Sequence, residues 1–171
     1  CSLSLIGHCN YLPQPSIGLV YRVDGIDSIV VTSNSDTLDF AWAGGLNNPQ
    51  FSEIDLNFDG LMDLFIYEKD GGLIKVFINQ GTQGKISYSF TTEYNNKFPE
   101  IKNFALLRDY NCDGKMDLFT GTTGGLKVYK NISNPGLGLQ FQLITSLLLS
   151  DYNPNMLNLY VPSTDIPVID D

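Results

Sequence analysis

The strongest constraint on this chain is a turn that it spells twice. Asp55-x-Asn57-x-Asp59-Gly60-x-x-Asp63 and Asp109-x-Asn111-x-Asp113-Gly114-x-x-Asp117 share one spacing. Strand-like runs follow both, Leu64-Phe-Ile-Tyr67 and Leu118-Phe-Thr120. The likeness then continues through Gly71-Gly72 into Leu73-Ile-Lys-Val-Phe-Ile-Asn79, and through Gly124-Gly125 into Leu126-Lys-Val-Tyr-Lys-Asn131. Asp55 to Asp109 sets a period of 54 residues, and the Gly-Gly turns keep it with one residue deleted.

Each copy reads as short strands rather than helices. One strand enters the acidic turn, one leaves it, and a third follows the Gly-Gly hairpin. A fourth is expected at Ile86-Ser-Tyr-Ser-Phe90 or at Leu139-Gln-Phe-Gln-Leu-Ile144. Four short strands per repeat is the pattern of a propeller blade. Sixteen Gly and nine Tyr against ten Lys and Arg agree with a turn-rich all-β chain. Helix is expected for no more than a turn, and Leu147-Leu-Leu149 is too short to count.

Upstream, Ile17–Val23 and Ile26–Val31 are β-rich runs separated by Asp24-Gly25, the signature of a type I′ hairpin. The polar stretch Thr32–Thr37 then resets the chain. Residues 1–10 read as the remnant of a signal peptide, with a first strand or a lipid-modified Cys1 as alternatives. Downstream, Ile166-Pro-Val-Ile-Asp-Asp171 looks like the strand entering a third copy. The expected organisation is therefore an N-terminal hairpin segment at 11–37, blades at 38–98 and 99–160, and the start of a third repeat at 161–171. Two repeats with partial ends cannot close a ring of about four to eight blades. An incomplete propeller is expected, with further blades of a parent protein as its partners.

Oxygen side chains at alternate positions of a tight turn are what Ca²⁺ requires. Asp55, Asn57, Asp59 and Asp63 would supply side chains and Leu61 its carbonyl; Asp109, Asn111, Asp113 and Asp117 would do so with the carbonyl of Lys115. The Lys115 ammonium is free to point into solvent, and the Cys112 side chain away from the ion. Asp170 or Asp171 would begin a third, truncated site. An EF-hand would need Glu at position 12, where Ile66 and Thr120 stand, and would need flanking helices. A dockerin fails on its helix. The alternative is an Asp/Asn/Gly turn without metal; two copies with four matched oxygen side chains argue against it. The ions are expected to be structural, each pinning a strand-to-strand corner.

Other chemistries find little support. A net charge of −9 without a basic run argues against nucleic acid. No apolar run reaches the roughly 18 residues that span a bilayer. His8 is the one histidine, so a triad or a His-bearing zinc site would have to use it. Glu53, Glu68, Glu93 and Glu100 read as solvated positions rather than a glycosidase pair. Trp42 reads as packing before sugar stacking. Asn131-Ile-Ser133 matches a glycosylation sequon, but its counterpart Asn79 lacks one, so a structural role shared by both copies is the better reading.

These turns and their flanks resemble the FG-GAP/VCBS repeat family. The likeness is carried by Ala41–Asn57 and Leu107–Lys115 and covers about residues 38–171. Integrin α-subunit propellers have the same type of calcium loop, and large bacterial secreted proteins with VCBS-type repeats are the closer match. The Phe-Gly…Gly-Ala-Pro signature is absent, so the integrin likeness is confined to the metal loops. The resemblance implies a secreted or cell-surface location, Ca²⁺ binding, and a non-enzymatic scaffold or adhesion role with glycans or surface proteins as partners. The alternative is the non-catalytic propeller portion of a larger secreted enzyme that degrades polysaccharide or lipid.

Overall fold

A computed structural model of the chain describes residues 18–19, 31–38, 40–41, 43–82, 85–152, 155–162 and 165–168. Among these, every regular element is a strand except a single 3-10 turn at Asn95–Lys97. The chain divides into two units, residues 1–44 and 45–171.

In the first unit, β1 (Gly18–Leu19), β2 (Val31–Ser33) and β3 (Asp36–Thr37) form an antiparallel sheet in that order. The Asp24-Gly25 turn, the stretch 1–10 and Trp42 lie outside the described residues. The polar stretch 32–37 does more than reset the chain. Ser33 pairs with Asp36 around Asn34 and Ser35, whose φ values are 51° and 73°. Two consecutive positive φ values give the turn whose twist suits a two-residue hairpin. Asn enters that region readily and Ser less so, which is why the sequence gives only half the signal.

The second unit holds the repeat. β4 (Pro49–Ile54), β5 (Asp63–Glu68), β6 (Leu73–Asn79) and β7 (Tyr88–Thr91) form one antiparallel sheet in chain order. β8 (Ala105–Arg108), β9 (Asp117–Thr122), β10 (Gly125–Asn131) and β11 (Phe141–Thr145) form the other. Each acidic turn joins the first strand of its sheet to the second. The fourth strands begin two residues later than expected. The third strands end at Asn79 and Asn131, which face Tyr88 and Phe141; past them one further amide in each copy reaches across, Gln80 to the Ser87 carbonyl at 2.9 Å and Ile132 to the Gln140 carbonyl at 3.0 Å. Ile86 is exposed, whereas Leu139 is buried in the core. The region 99–160 also contains an unexpected hairpin, β12 (Leu149–Tyr152) with β13 (Asn155–Asn158). Its base is tied to β10 by the Leu148 amide, which donates to the Leu126 carbonyl at 2.9 Å.

Strand alternation decides which face each sheet buries. In β4, Gln50, Ser52 and Ile54 are buried and Phe51 and Glu53 exposed. The buried face meets β8: the Ala105 amide donates to Gln50 Oε1 at 2.8 Å and the Leu107 amide to Ser52 Oγ at 3.3 Å. Ile54, Phe65 and Val76 of the first sheet then share one core with Ala105, Leu107 and Leu118 of the second. Phe98 plugs its side, with its ring 4.8 Å from Phe65 and 5.5 Å from Phe141. On the opposite face of the second sheet, Phe104, Phe119, Leu126 and Val128 pack with Leu148 and Val161. With both faces covered, β9 is an almost unbroken buried run.

Candidate metal turns

Both acidic turns adopt one backbone conformation. The fourth-position residues Phe58 and Cys112 have φ 64° and 57°, and Gly60 and Gly114 have φ 84° and 81°. A Cβ at the glycines would be strained in that region. The first-position carboxylates hold the bend. Asp55 accepts the Phe58 amide at 2.7 Å and the Gly60 amide at 3.0 Å. Asp109 accepts the Asp113 amide at 3.1 Å and the Gly114 amide at 2.7 Å. The fifth-position carboxylates each take the amide two residues on: Asp59 from Leu61 at 2.8 Å and Asp113 from Lys115 at 3.1 Å.

The ninth position anchors the turn to the sheet. Asp63 and Asp117 are fully buried at the start of β5 and β9. Asp63 accepts the Leu56 amide at 2.9 Å and the Asn79 amide at 2.8 Å; Asp117 accepts the Asn131 amide at 2.6 Å. Burial pushes both carboxyls above the usual aspartate value, against the pull of those amides. The neighbouring carboxylates add to the rise, Asp59 and Asp55 in the first turn, Asp113 and Asp109 in the second. Asn79 and Asn131 complete the anchor, each donating its side-chain amide to the carbonyl before the ninth position, Met62 or Met116. Sequence matching found this pair by its repetition but not its partner. The buried Asn131 nitrogen is thus engaged in the structure rather than offered as a glycan acceptor.

At the third and fifth positions the copies part. Asn57 folds onto Asp59, donating to Oδ2 at 2.8 Å and accepting the Asp59 amide at 3.0 Å. Asn111 instead donates to Asp117 Oδ2 at 3.1 Å, and its own Oδ1 is buried without a hydrogen-bond partner. Asp113 Oδ2 lies 2.9 Å from the Lys130 ammonium. That hydrogen bond holds the Asp113 carboxyl below its ordinary value and the lysine above its own. The matched residue in the first copy is Ile78. Lys115 does not simply point into solvent, because its ammonium donates to the Ser133 carbonyl at 2.8 Å. Glu68 is likewise not a solvated position: it is buried and accepts the Asn47 and Asn48 amides, both at 2.8 Å, and the Asn47 bond leads in holding its pKa down.

The structure therefore brings each set of oxygens into one turn and turns most of them onto the turn's own amides. Among the described residues no group of three or more His, Cys, Asp or Glu converges as a ready-made metal cluster. Cys112 is an exposed free thiol; His8, Asp170 and Asp171 lie outside the described residues. No helix among the described residues is long and apolar enough to cross a membrane. Comparison with known proteins finds no family model, no curated protein and no solved structure that matches.

Proposed function

We propose that the two four-stranded sheets are blades of an FG-GAP/VCBS-type β-propeller whose acidic turns take Ca²⁺. On this reading the protein is a secreted or cell-surface scaffold or binding module without catalytic activity. Further blades complete the ring, and the loops contact glycans or proteins.

One observation carries the reading. The same oxygen-rich turn, with the same backbone and the same buried ninth carboxylate, joins the first two strands of both sheets. The side-by-side placement of β4 and β8 supports it, since first strands of neighbouring blades meet in this way around a propeller axis. The donor chemistry fits Ca²⁺, being all oxygen. Asp55, Asn57, Asp59, Asp63 and the Leu61 carbonyl would hold one ion. Asp109, Asn111, Asp113, Asp117 and the Lys115 carbonyl would hold the other. A divalent cation would relieve the burial and repulsion that raise Asp63 and Asp117. In the second turn it would also give the buried Asn111 Oδ1 a partner.

Scanning calorimetry in EDTA, Ca²⁺ and Mg²⁺ tests this. Ca²⁺ at a hundred to a thousand times its dissociation constant should stabilise by about 3–4 kcal/mol per ion. Mg²⁺ should do less, because it dehydrates reluctantly and prefers a strict octahedron. An identical melting temperature in all three conditions would sink the reading.

A further inference from the structure

A cavity of about 230 Å³ lies between the two acidic turns. The first copy walls it with Ile54, Phe58 and Met62, the second with Lys115, Met116 and Pro135. We propose that it binds an apolar group of about one ring's size that carries a carboxylate, with the Lys115 ammonium receiving the anion. This gives the binding-module reading a ligand class and rests on that reading, but not on the cation.

Size sets the apolar part. Dry cavities of roughly 150 Å³ accept benzene, so this one admits a ring and a few further atoms. It falls below the roughly 300–1,000 Å³ of drug-sized sites, which restricts it to a small ligand or one side chain. The walls suit a ring: one aromatic side chain and two thioethers, which adapt their shape and contact ring edges favourably.

Hydrogen bonding sets the charge. The Lys115 ammonium has three donors and gives one to the Ser133 carbonyl. Asp55, the carboxylate on the wall, already accepts an amide on each oxygen. The Ser133 hydroxyl is spent on Gln140, accepting its amide at 2.8 Å and donating to its carbonyl at 3.2 Å. The Asn131 side chain donates to the Met116 carbonyl and accepts the Ser133 amide. An amine would have to share lone pairs that already accept amides, whereas an anion meets the one cationic side chain on the lining, with two ammonium protons beyond the Ser133 bond. The matched residue in the first copy, Leu61, brings no charge.

The experiment is an amide-resolved NMR titration of the full chain with 3-phenylpropionate, benzyl alcohol and 2-phenylethylamine, each in EDTA and in Ca²⁺. A fourth arm uses an acetylated tripeptide ending in Phe with a free carboxylate. Saturable shifts at Phe58, Met62, Lys115 and Met116 are expected with phenylpropionate, at a dissociation constant on the order of 1 mM. It should bind about three- to tenfold tighter than the alcohol, and the amine most weakly. Lys115→Met should erase the advantage of the acid. Met62→Trp, which fills the cavity, should abolish the shifts from all probes. Peptide shifts at the same amides would assign a chain terminus as the source, and their absence beside phenylpropionate shifts a free acid. No saturable shift at these residues with any probe, a preference for the amine, or an acid preference that survives Lys115→Met would overturn the proposal. Failure of the cation reading looks different: phenylpropionate shifts persist in EDTA while calorimetry shows no response to Ca²⁺.

Discussion

The two acidic turns share a backbone and differ in where positive charge comes from. In the first, Asp59 is met by a neutral Asn57 amide, and Ile78 occupies the matched strand position. In the second, Asp113 is met by the Lys130 ammonium, and Lys115 replaces Leu61. Positions one, six and nine fold the turn and fasten it to the sheet in both copies, sharing the position-six amide and the Asn79 or Asn131 amide and differing in one further partner each. The difference teaches that the repeat holds its anchors constant and varies the residues that set local charge. Backbone equivalence therefore does not imply equal affinity for a cation.

The anchors should give the largest effect. Asp63→Ala leaves the Leu56 and Asn79 amides without an acceptor; Asp117→Ala does the same to the Asn131 amide and removes the partner of Asn111. Each buried orphan costs about 1–3 kcal/mol, so each variant should lose about 2–5 kcal/mol in urea denaturation. Similar losses are expected from the two variants. A large loss from one and almost none from the other would break the equivalence of the copies.

Charge should separate them next. Direct Ca²⁺ titration should find the first turn tighter than the second by roughly tenfold, because the second ion must displace or tolerate an ammonium. Lys130→Ile should bring the second turn up to the first, and Ile78→Lys should bring the first down. Equal affinities in the parent protein, unmoved by either exchange, would show that Lys130 swings away at no cost.

How much of this was legible follows from the range of each interaction. The second and third strands of each sheet could be read because an apolar run and a Gly-Gly hairpin fix them, while the fourth strands, which lack such a turn, were placed two residues early. Asn79 and Asn131 stood out because they repeat, though their target carbonyls 17 and 15 residues back did not. Lys130 could not be assigned to Asp113, since only the pairing of β10 on β9 brings them together. Gln50 and Ser52 were invisible for a similar reason: they bond amides 55 residues away, on another sheet. The β12–β13 hairpin was missed because Asn153-Pro154 separates runs without clean alternation.

Acid should act with opposite signs on the two kinds of carboxylate. Asp63 and Asp117 have raised pKa values in the fold. Their contribution is complete below the usual aspartate value and is lost as pH rises through the raised one. Asp113 has a lowered pKa, so its contribution is complete above the usual value and is lost as pH falls through the folded one. Mild acidification in EDTA should therefore favour the first turn outright, while the second gains at Asp117 and, further down, loses at Asp113. Carboxyl-carbon NMR titration reads each group directly. Ca²⁺ should lower the Asp63 pKa, and an unchanged value in saturating Ca²⁺ would place the ion elsewhere.

The smallest effect belongs to the fourth position. Phe58 and Cys112 are held at positive φ, a region that costs most side chains about 1 kcal/mol and Asn less. Cys112 is exposed and unpaired, so nothing but backbone strain should register when it changes. Cys112→Asn is expected to raise stability by about 0.5 kcal/mol in urea denaturation. Phe58 has the same backbone but also walls the cavity between the turns. Phe58→Asn should relieve the same strain while giving up apolar contact, so its net effect should be near zero or destabilising. The gap between the two variants then isolates what the Phe58 ring contributes. A stabilisation of equal size in both would mean that the ring makes no net contact there, and that the wall on the first copy's side is weaker than its position suggests.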